Sequence, residues 1–183
     1  MIHPAIIEAV KRNDKGAFKE LYKACIPYVC AVTKRYVSNE SDIADIIQEI
    51  FARVFLSLPT YQSQKGSFKP WLRRLIINEC FQKYRKEKKH KLHIALDNAP
   101  EIEDKEIGLH ELSKEEIESL LQKMPEGYRQ VFLLNVIDEY NHKEIGALLE
   151  ITPEASRSQL SRAKKWLRNN GITKQTKTIA NGF

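Results

Sequence analysis

Apolar residues recur at helical spacing along almost the whole chain, and alternation of apolar and polar residues is nearly absent. In the stretch SDIADIIQEIFARVFLSL, isoleucine, valine and leucine return every three or four positions. This spacing places them on one side of an α-helix, whereas a half-buried strand needs a period of two. Glycine is also scarce, at 7 of 183 residues. We therefore predict an all-α fold. Asp14 is predicted to cap one helix, Ser113 with Glu116 to form a capping box at another, and EGYRQVFLLNVI to form one helix up to Ile137.

Charge divides the chain more clearly than total composition does. Between Tyr61 and His93, 10 lysines and arginines stand against 2 glutamates, a balance of +8, within a chain of net charge +6. Between Asp97 and Gln122, 9 acids stand against 2 lysines, a balance of −7. The stretch 90–109 has little helical periodicity and many acids, which is typical of a linker. We predict two small helical domains, 1–92 and 111–172, with an acidic linker at 93–110 and a tail at 173–183.

Several classes of protein fit this sequence poorly. Its three cysteines, Cys25, Cys30 and Cys80, are too few and unevenly spaced for a disulfide framework or a zinc site, so we expect buried free thiols. No glycine-rich phosphate loop or nucleophile–base pair is visible in the sequence. We therefore expect that the protein is not an enzyme and that it binds no cofactor. No apolar run approaches the roughly 20 residues of a membrane span. The N-terminus has no signal-peptide core, so we expect a cytoplasmic protein.

The segment between Asn141 and Asn170 has the pattern of two helices joined by a tight turn. Asn141 can cap the first helix, and Thr152 with Pro153 suits the start of the second. One side of the second helix is predicted to face the core, with Ser156, Leu160, Ala163 and Leu167. Two helices joined by about three residues form a helix-turn-helix, whose second helix enters the major groove of DNA.

The opposite side of that second helix carries short hydroxyls and cations. These residues are Arg157, Ser158, Ser161, Arg162 and Lys165. Arginine donates hydrogen bonds to guanine edges, and serine contacts bases or phosphates. This side is predicted to bind DNA, although a solvated face of a helical bundle would have a similar composition.

The N-terminal domain presents two further surfaces. The third helix has an isoleucine-rich core stripe, and its opposite side combines acidic, polar and apolar residues, namely Asp45, Gln48, Glu49, Ala52 and Leu56. Because DNA would be repelled by this side, a basic protein is the more suitable partner. The fourth helix interleaves aromatic residues with cations, a composition that suits unpaired bases. Phe68 and Leu72 are expected in the core, whereas Trp71 and Tyr84 could serve either purpose.

Three segments together resemble the extracytoplasmic-function group of RNA polymerase sigma factors. DIADIIQEIFARVF is similar to the helix that docks on the polymerase clamp, and GSFKPWLRRLIINECFQKYRKEKK is similar to the segment that melts the −10 element. MPEGYRQVFLLNVIDEYNHKEIGALLEITPEASRSQLSRAKKWLR is similar to the domain that binds the −35 element. The resemblance covers about Ala17 to Arg168.

This resemblance implies a transcription initiation factor without catalytic activity of its own. Its implied partners are core RNA polymerase, through the clamp and flap regions, promoter DNA, and an anti-sigma factor; no membrane insertion and no cofactor are implied. The implied polymerase-binding residues are Asp45, Gln48, Glu49, Ala52 and Leu56. The implied −10 residues are Gln62, Lys65, Ser67, Lys69, Trp71, Asn78 and Lys83. The implied −35 residues are Glu154, Ala155, Arg157, Ser158, Ser161, Arg162 and Lys165.

Some positions depart from the family pattern. Glu150 replaces a usual glycine in the turn, where a glutamate would be strained if φ is positive. Gln82 stands where aspartate is frequent, and Glu154 with Ala155 replaces a common glycine–threonine pair. Two alternatives also remain open, namely a stand-alone helix-turn-helix regulator and a decoy that binds an anti-sigma factor. The first would not need the acidic side of the third helix, and the second would be expected to lose its groove-facing arginines.

Overall fold

The computed structural model describes residues 2–37, 39–88 and 113–180, and these residues contain helices and turns but no strand. The predicted all-α fold is therefore confirmed. The chain divides into two compact units, Met1–Leu92 and His93–Phe183. The predicted linker at 93–110 lies outside the described residues, and the exact domain limits stay predictions.

The first unit is built around its fourth helix. Its helices are α1 (Pro4–Lys11), α2 (Lys15–Tyr36), α3 (Glu40–Ser57) and α4 (Phe68–Lys88). Helix α4 packs against both α2 and α3, and its side chains Ile76, Ile77 and Phe81 are almost fully buried. Because α4 is buried on most sides, only a narrow stripe of it reaches the surface.

Side-chain caps fix where the helices of the first unit begin. The Asp14 carboxylate accepts a hydrogen bond from the Ala17 amide at 3.0 Å, as predicted. Asn39 caps α3 in the same way through the Ser41 amide. Pro27 lies inside α2 without ending it. Between α3 and α4, two short 3₁₀ turns, Leu58–Thr60 and Ser63–Lys65, shape the connecting loop.

The second unit contains the predicted helix-turn-helix. Its helices are α5 (Lys114–Lys123), α6 (Glu126–Phe132), α7 (His142–Leu149) and α8 (Pro153–Ala180). The predicted capping box of Ser113 and Glu116 is present at α5, and Asn141 with Glu144 forms a second one at α7. Helices α5, α6 and α7 all pack against α8, so α8 organises this unit.

Two helices end elsewhere than predicted. The segment predicted as one helix up to Ile137 is α-helical only to Phe132, and Leu133–Ile137 continues as a π-helical turn. There the Asp138 amide donates to the Leu133 carbonyl, one residue further back than in an α-helix. Helix α8 was predicted to end near Asn170 but continues to Ala180. Gly171 did not stop it because one glycine disfavours a helix by only about 1 kcal/mol.

Candidate polymerase and DNA surfaces

The predicted partner-binding side of α3 forms one continuous exposed stripe. Asp45, Gln48, Glu49, Ala52 and Leu56 are all exposed, and the Leu56 side chain is 70% exposed. These positions recur every three, four or seven residues, so they share one side of the helix. The opposite side, with Ile46, Ile50 and Val54, is buried. The stripe is acidic at its N-terminal end and apolar at its C-terminal end.

Aromatic residues extend the apolar end of this stripe and were missed by the sequence analysis. Phe55 is 42% exposed and packs edge-on against Phe18 of α2, with ring centroids 5.2 Å apart. Tyr22 is 40% exposed and contacts Phe51 at 4.3 Å between centroids. Phe55 directly precedes Leu56, which was predicted to be exposed. This adjacency is the sequence signal that could have identified Phe55 as a further exposed apolar residue. The exposed apolar area therefore spans α2 and α3.

Two ion pairs connect α3 to α4. The Arg53 Nε lies 3.0 Å from the carboxylate of Glu79, which is buried. The Lys83 Nζ lies 3.2 Å from the Asp42 carboxylate and 3.9 Å from the Asp45 carboxylate. Lys83 was predicted to contact the −10 element, but its ammonium group is held by acids of α3. The structure thus brings a predicted DNA residue and a predicted polymerase residue together.

An aromatic cluster stands at the start of α4. Trp71 is half-buried, with its ring centroid 5.2 Å from that of Tyr61 and 5.4 Å from that of Phe68. The Tyr61 hydroxyl donates to the Gly66 carbonyl at 2.9 Å, which closes the loop 62–66. Tyr61 was not singled out in the sequence. Its hydroxyl holds the loop, and its ring packs against that of Trp71.

The exposed stripe of α4 separates the predicted −10 residues into two groups. Asn78 is exposed, and Trp71 lies nearly on the same side at about 100° per residue. Arg74, which the sequence analysis did not assign to DNA, is exposed between them. Lys69 and Lys83 lie on other sides of the helix, and the Lys69 Nζ stands 5.2 Å from the centroid of the Tyr28 ring. The loop residues Gln62, Lys65 and Ser67 are exposed.

The turn of the helix-turn-helix is strained at one residue and tightly packed at another. Glu150 has φ 58° and ψ 42°, the left-handed conformation expected where a glycine is usual. Four residues earlier, a Cβ on Gly146 would lie 2.7 Å from the Ile151 carbonyl oxygen. Glycine at 146 therefore allows the backbone after the turn to approach α7 closely. Position 150, where the family usually has glycine, is occupied by glutamate in this chain.

A polar pair, buried at Ser156 and half-buried at His142, joins the two helices of this motif. The predicted core side of α8 is confirmed, since Ser156, Leu160, Ala163 and Leu167 are all buried. The Ser156 hydroxyl shares a hydrogen bond with Nδ1 of His142, at 2.9 Å. Burial lowers the pKa of His142 below its ordinary value, and the positive charges of Arg157 and Lys164 act in the same direction.

The outward side of α8 carries the predicted −35 residues. Glu154, Arg157 and Lys165 are exposed, and Ala155, Ser158, Ser161 and Arg162 are half-buried. The Thr152 hydroxyl accepts from the Ala155 amide at 3.1 Å and caps the helix as predicted. The Arg157 guanidinium donates to the Glu154 carboxylate at 2.6 Å. This side is therefore cationic along its length with one neutralised pair at its start.

Two of the three cysteines lie inside the core, whereas Cys30, which was also expected to be buried, is half-buried. Cys25 and Cys80 are buried free thiols, and burial raises their pKa values to about 11 and about 12. Such thiols are protonated at neutral pH and unreactive. Within the described ranges, no group of three or more histidines, cysteines and acids is arranged to hold a metal ion. None of the helices described here is long and apolar enough to cross a membrane.

Both units match known family models. Residues 21–90 match the model "Sigma-70 region 2", which covers the exposed stripe of α3 and all of α4. Residues 114–167 match "Sigma-70, region 4", which covers the helix-turn-helix. The match to region 2 thus lies within the first unit, and the match to region 4 lies within the second unit.

Relatives with a similar length align over nearly the whole chain. The ECF RNA polymerase sigma factor SigW of Bacillus subtilis is 29% identical over 88% of this chain and 92% of its own. The ECF RNA polymerase sigma-E factor of Escherichia coli is 25% identical over 90% of this chain and 91% of its own. A solved structure of the sigma factor RpoE with the anti-sigma factor NepR from Bartonella quintana is 17% identical, with a TM-score of 0.49, and covers 83% of this chain and 94% of that one.

Proposed function

The chain belongs to the extracytoplasmic-function group of RNA polymerase sigma factors, and on that premise we propose that three of its surfaces divide the work of promoter recognition. As a sigma factor it is a transcription initiation factor that directs core RNA polymerase to promoters. The proposal assigns polymerase docking to the stripe on α3, strand opening to the loop and start of α4, and −35 binding to α8. The main support for this proposal is the exposed acidic and apolar stripe on α3, because a factor that bound DNA alone would not need that stripe.

The α3 stripe is suited to a basic protein surface with apolar pockets. Asp45 and Glu49 provide negative charge. The nearby cations are engaged elsewhere, since Arg53, four residues after Glu49, pairs with Glu79 at 3.0 Å, and Lys83 lies closer to Asp42 than to Asp45. Ala52 and Leu56 provide apolar contact, and Phe55 enlarges it. Acidic groups beside exposed apolar side chains favour a protein partner over DNA, since phosphates would be repelled. The clamp of core polymerase is the partner that we assign to this stripe.

Charge reversal tests the docking surface. Glu49→Lys should weaken binding of the full chain to core polymerase at least tenfold, because an attractive contact becomes a repulsive one. Glu20→Lys is the matched control, since Glu20 is an exposed acid on α2 outside the stripe. Fluorescence titration with core polymerase gives the affinity, and circular dichroism checks that helicity is unchanged. Equal affinities for the two variants would rule out this assignment.

Strand opening is assigned to the aromatic cluster and the adjacent loop. Trp71 presents a half-buried ring at the edge of the cluster, and exposed Asn78 and Arg74 continue the same side of α4. Aromatic rings stack on unpaired bases, and cations hold the strand. Gln62, Lys65 and Ser67 are exposed in the loop that leads into α4. We leave Lys69 and Lys83 out of this surface because both have partners within the first unit.

The −35 element is assigned to the outward side of α8. Its geometry fits a recognition helix, because the opposite side is buried in the core through Leu160, Ala163 and Leu167 together with Ser156 and Gln159. Arg157 and Arg162 supply donors for base edges, and Lys165 supplies a charge for phosphates. Ala155, Ser158 and Ser161 leave room for close approach to the groove.

The wider placement of the protein follows from this assignment. We place it in the cytoplasm, where core polymerase works, and give it no catalytic step of its own. A stand-alone helix-turn-helix regulator is not favoured, because such a protein would not need the domain that matches sigma-70 region 2. The decoy alternative is also disfavoured, since Arg157 and Arg162 are retained on the groove side. An anti-sigma factor remains a proposed partner.

A further inference from the structure

We propose that Glu154 and Arg157 read the −35 element as one unit, with Glu154 selecting a cytosine and Arg157 a guanine in the same or the adjacent base pair. This inference rests on the proposed function of α8. The two side chains lie three positions apart on its first turn and are joined at 2.6 Å. Both remain accessible, with side-chain exposures of 71% for Glu154 and 46% for Arg157.

An acid on a DNA-binding side restricts what it can contact. Phosphates repel it, and most base edges in the major groove are acceptors, namely guanine N7 and O6, adenine N7 and thymine O4. Only cytosine N4 and adenine N6 can donate to a carboxylate. Adenine N6 lies beside the acceptor N7, which suits an amide rather than a carboxylate. Cytosine is therefore the base that an ionised Glu154 accepts.

Glu154 is ionised throughout the physiological range. A hydrogen bond from its own backbone amide holds the pKa of this carboxyl below its ordinary value, and Arg157 acts in the same direction. The Arg157 partner also offsets the repulsion between the carboxylate and the DNA phosphates, since the pair is neutral. The guanidinium has five donors in a fixed fork, so it can bind the carboxylate with one edge and guanine with another. Residues three apart on a helix are separated by about 4.5 Å along its axis, close to the roughly 3.4 Å step between bases.

The structure also offers a competing explanation, in which Glu154 only stabilises the start of α8. Its carboxylate interacts with its own amide and with the Thr152 hydroxyl, as a first-turn acid does. That role would not depend on which base pair is present. The two explanations therefore differ in their effect on base preference rather than on overall affinity.

Selection from a promoter library with a randomised −35 window distinguishes them. Holoenzyme assembled with the full chain should select a cytosine at one position, and Glu154→Gln should shift that position towards adenine by about tenfold, because an amide bonds both N6 and N7. Glu150→Gln is the matched control, since it removes the same charge from an exposed residue of the turn, four positions before Glu154 and outside α8. It should raise affinity for all sequences slightly and leave the selected bases unchanged.

Each result has a definite meaning. If the two variants select the same bases as the unaltered chain, Glu154 does not read sequence and the inference is wrong, while −35 binding by α8 stands. If Glu154→Gln changes affinity equally for every sequence, Glu154 acts only on the helix and the inference is again wrong. If the unaltered holoenzyme selects no sequence in this window, the assignment of α8 to the −35 element fails as well.

Discussion

At the scale of single residues, Glu150 occupies a backbone conformation that its side chain disfavours. Its φ of 58° places it in the left-handed region, which disfavours a residue with a Cβ by about 1–2 kcal/mol. The side chain is exposed and makes no described contact that requires glutamate. The turn therefore retains a strain that one substitution can remove.

Glu150→Gly should stabilise the second unit by about 0.5–1 kcal/mol, because the relief of strain exceeds the added entropy of glycine in the unfolded chain. Urea denaturation followed by circular dichroism measures the change. Ala147→Gly serves as the control, since this exposed α7 position is helical and should lose about 1 kcal/mol. A loss of stability in both variants would mean that the left-handed conformation is not strained.

His142 makes the second unit sensitive to mild acid. Its pKa is lowered in the folded chain, so the unfolded chain binds a proton first as the pH falls below about 6.5. The stability that comes from the neutral ring is thus fully present above the unfolded pKa and is lost as the pH falls through the folded pKa. Melting temperatures of the second unit should fall between pH 7.5 and 5.5, and His142→Gln should reduce this fall. An identical pH profile for the variant would contradict the assigned cause.

At the scale of elements, helix starts were predictable and several side-chain partners were not. Asp14, Ser113 and Asn141 cap their helices as predicted, because a cap depends on residues within one turn of each other. The π-helical turn at Leu133–Ile137 was not predictable, since apolar spacing alone does not distinguish a hydrogen bond to the fourth residue back from one to the fifth. The end of α8 was misplaced because a lone glycine is a weak signal.

In the candidate surfaces, too, features set by local helical spacing were predictable, whereas contacts between residues far apart in the sequence were not. All five residues predicted on the outward side of α3 are exposed, because one helical period determines them. The partners of Lys83 lie 41 positions away at Asp42 and 38 at Asp45, so no local pattern could reveal that it is engaged. Tyr61 was missed for a related reason, since its role depends on the loop that returns to Gly66. The roles of these residues in binding stay predictions.

The aromatic cluster at the start of α4 yields a prediction on strand opening. Trp71→Ala should impair open-complex formation more than closed-complex binding, since stacking on a freed base contributes about 1–3 kcal/mol. Permanganate reactivity of unpaired thymines reports opening, and Lys65→Ala should have a smaller effect. Because Trp71 also packs on Tyr61 and Phe68, the melting temperature of each variant must be recorded. Unfolding of Trp71→Ala at the assay temperature would identify the residue as core.

At the scale of the whole molecule, acidic and basic surfaces belong to different tasks. The exposed stripe of α3 is acidic, whereas the outward side of α8 is basic apart from Glu154, within a chain of net charge +6. DNA affinity should therefore depend on a small number of cations rather than on total charge. Each phosphate contact contributes a slope of about 0.9 to the dependence of log affinity on log salt.

Lys165→Gln should weaken holoenzyme binding to matched and scrambled −35 duplexes equally and reduce the salt slope by about one. The physical reason is that an exposed lysine on the outward side of α8 meets phosphates, which are the same in every sequence. Lys19→Gln removes an exposed lysine of α2 as the control. Should Lys19→Gln lower the slope as much, the effect would come from net charge and not from α8.

The hydrogen bond between His142 and Ser156 has an evolutionary consequence. A buried polar atom that loses its partner is destabilising, whereas replacing both partners by apolar groups of similar shape can be nearly neutral. Substitutions at these two positions should therefore be accepted in pairs, while the outward residues of α8 other than the Glu154–Arg157 pair are free to vary singly. In descendants of this chain, promoter preference can then drift by single steps without disturbing the way the two helices hold each other.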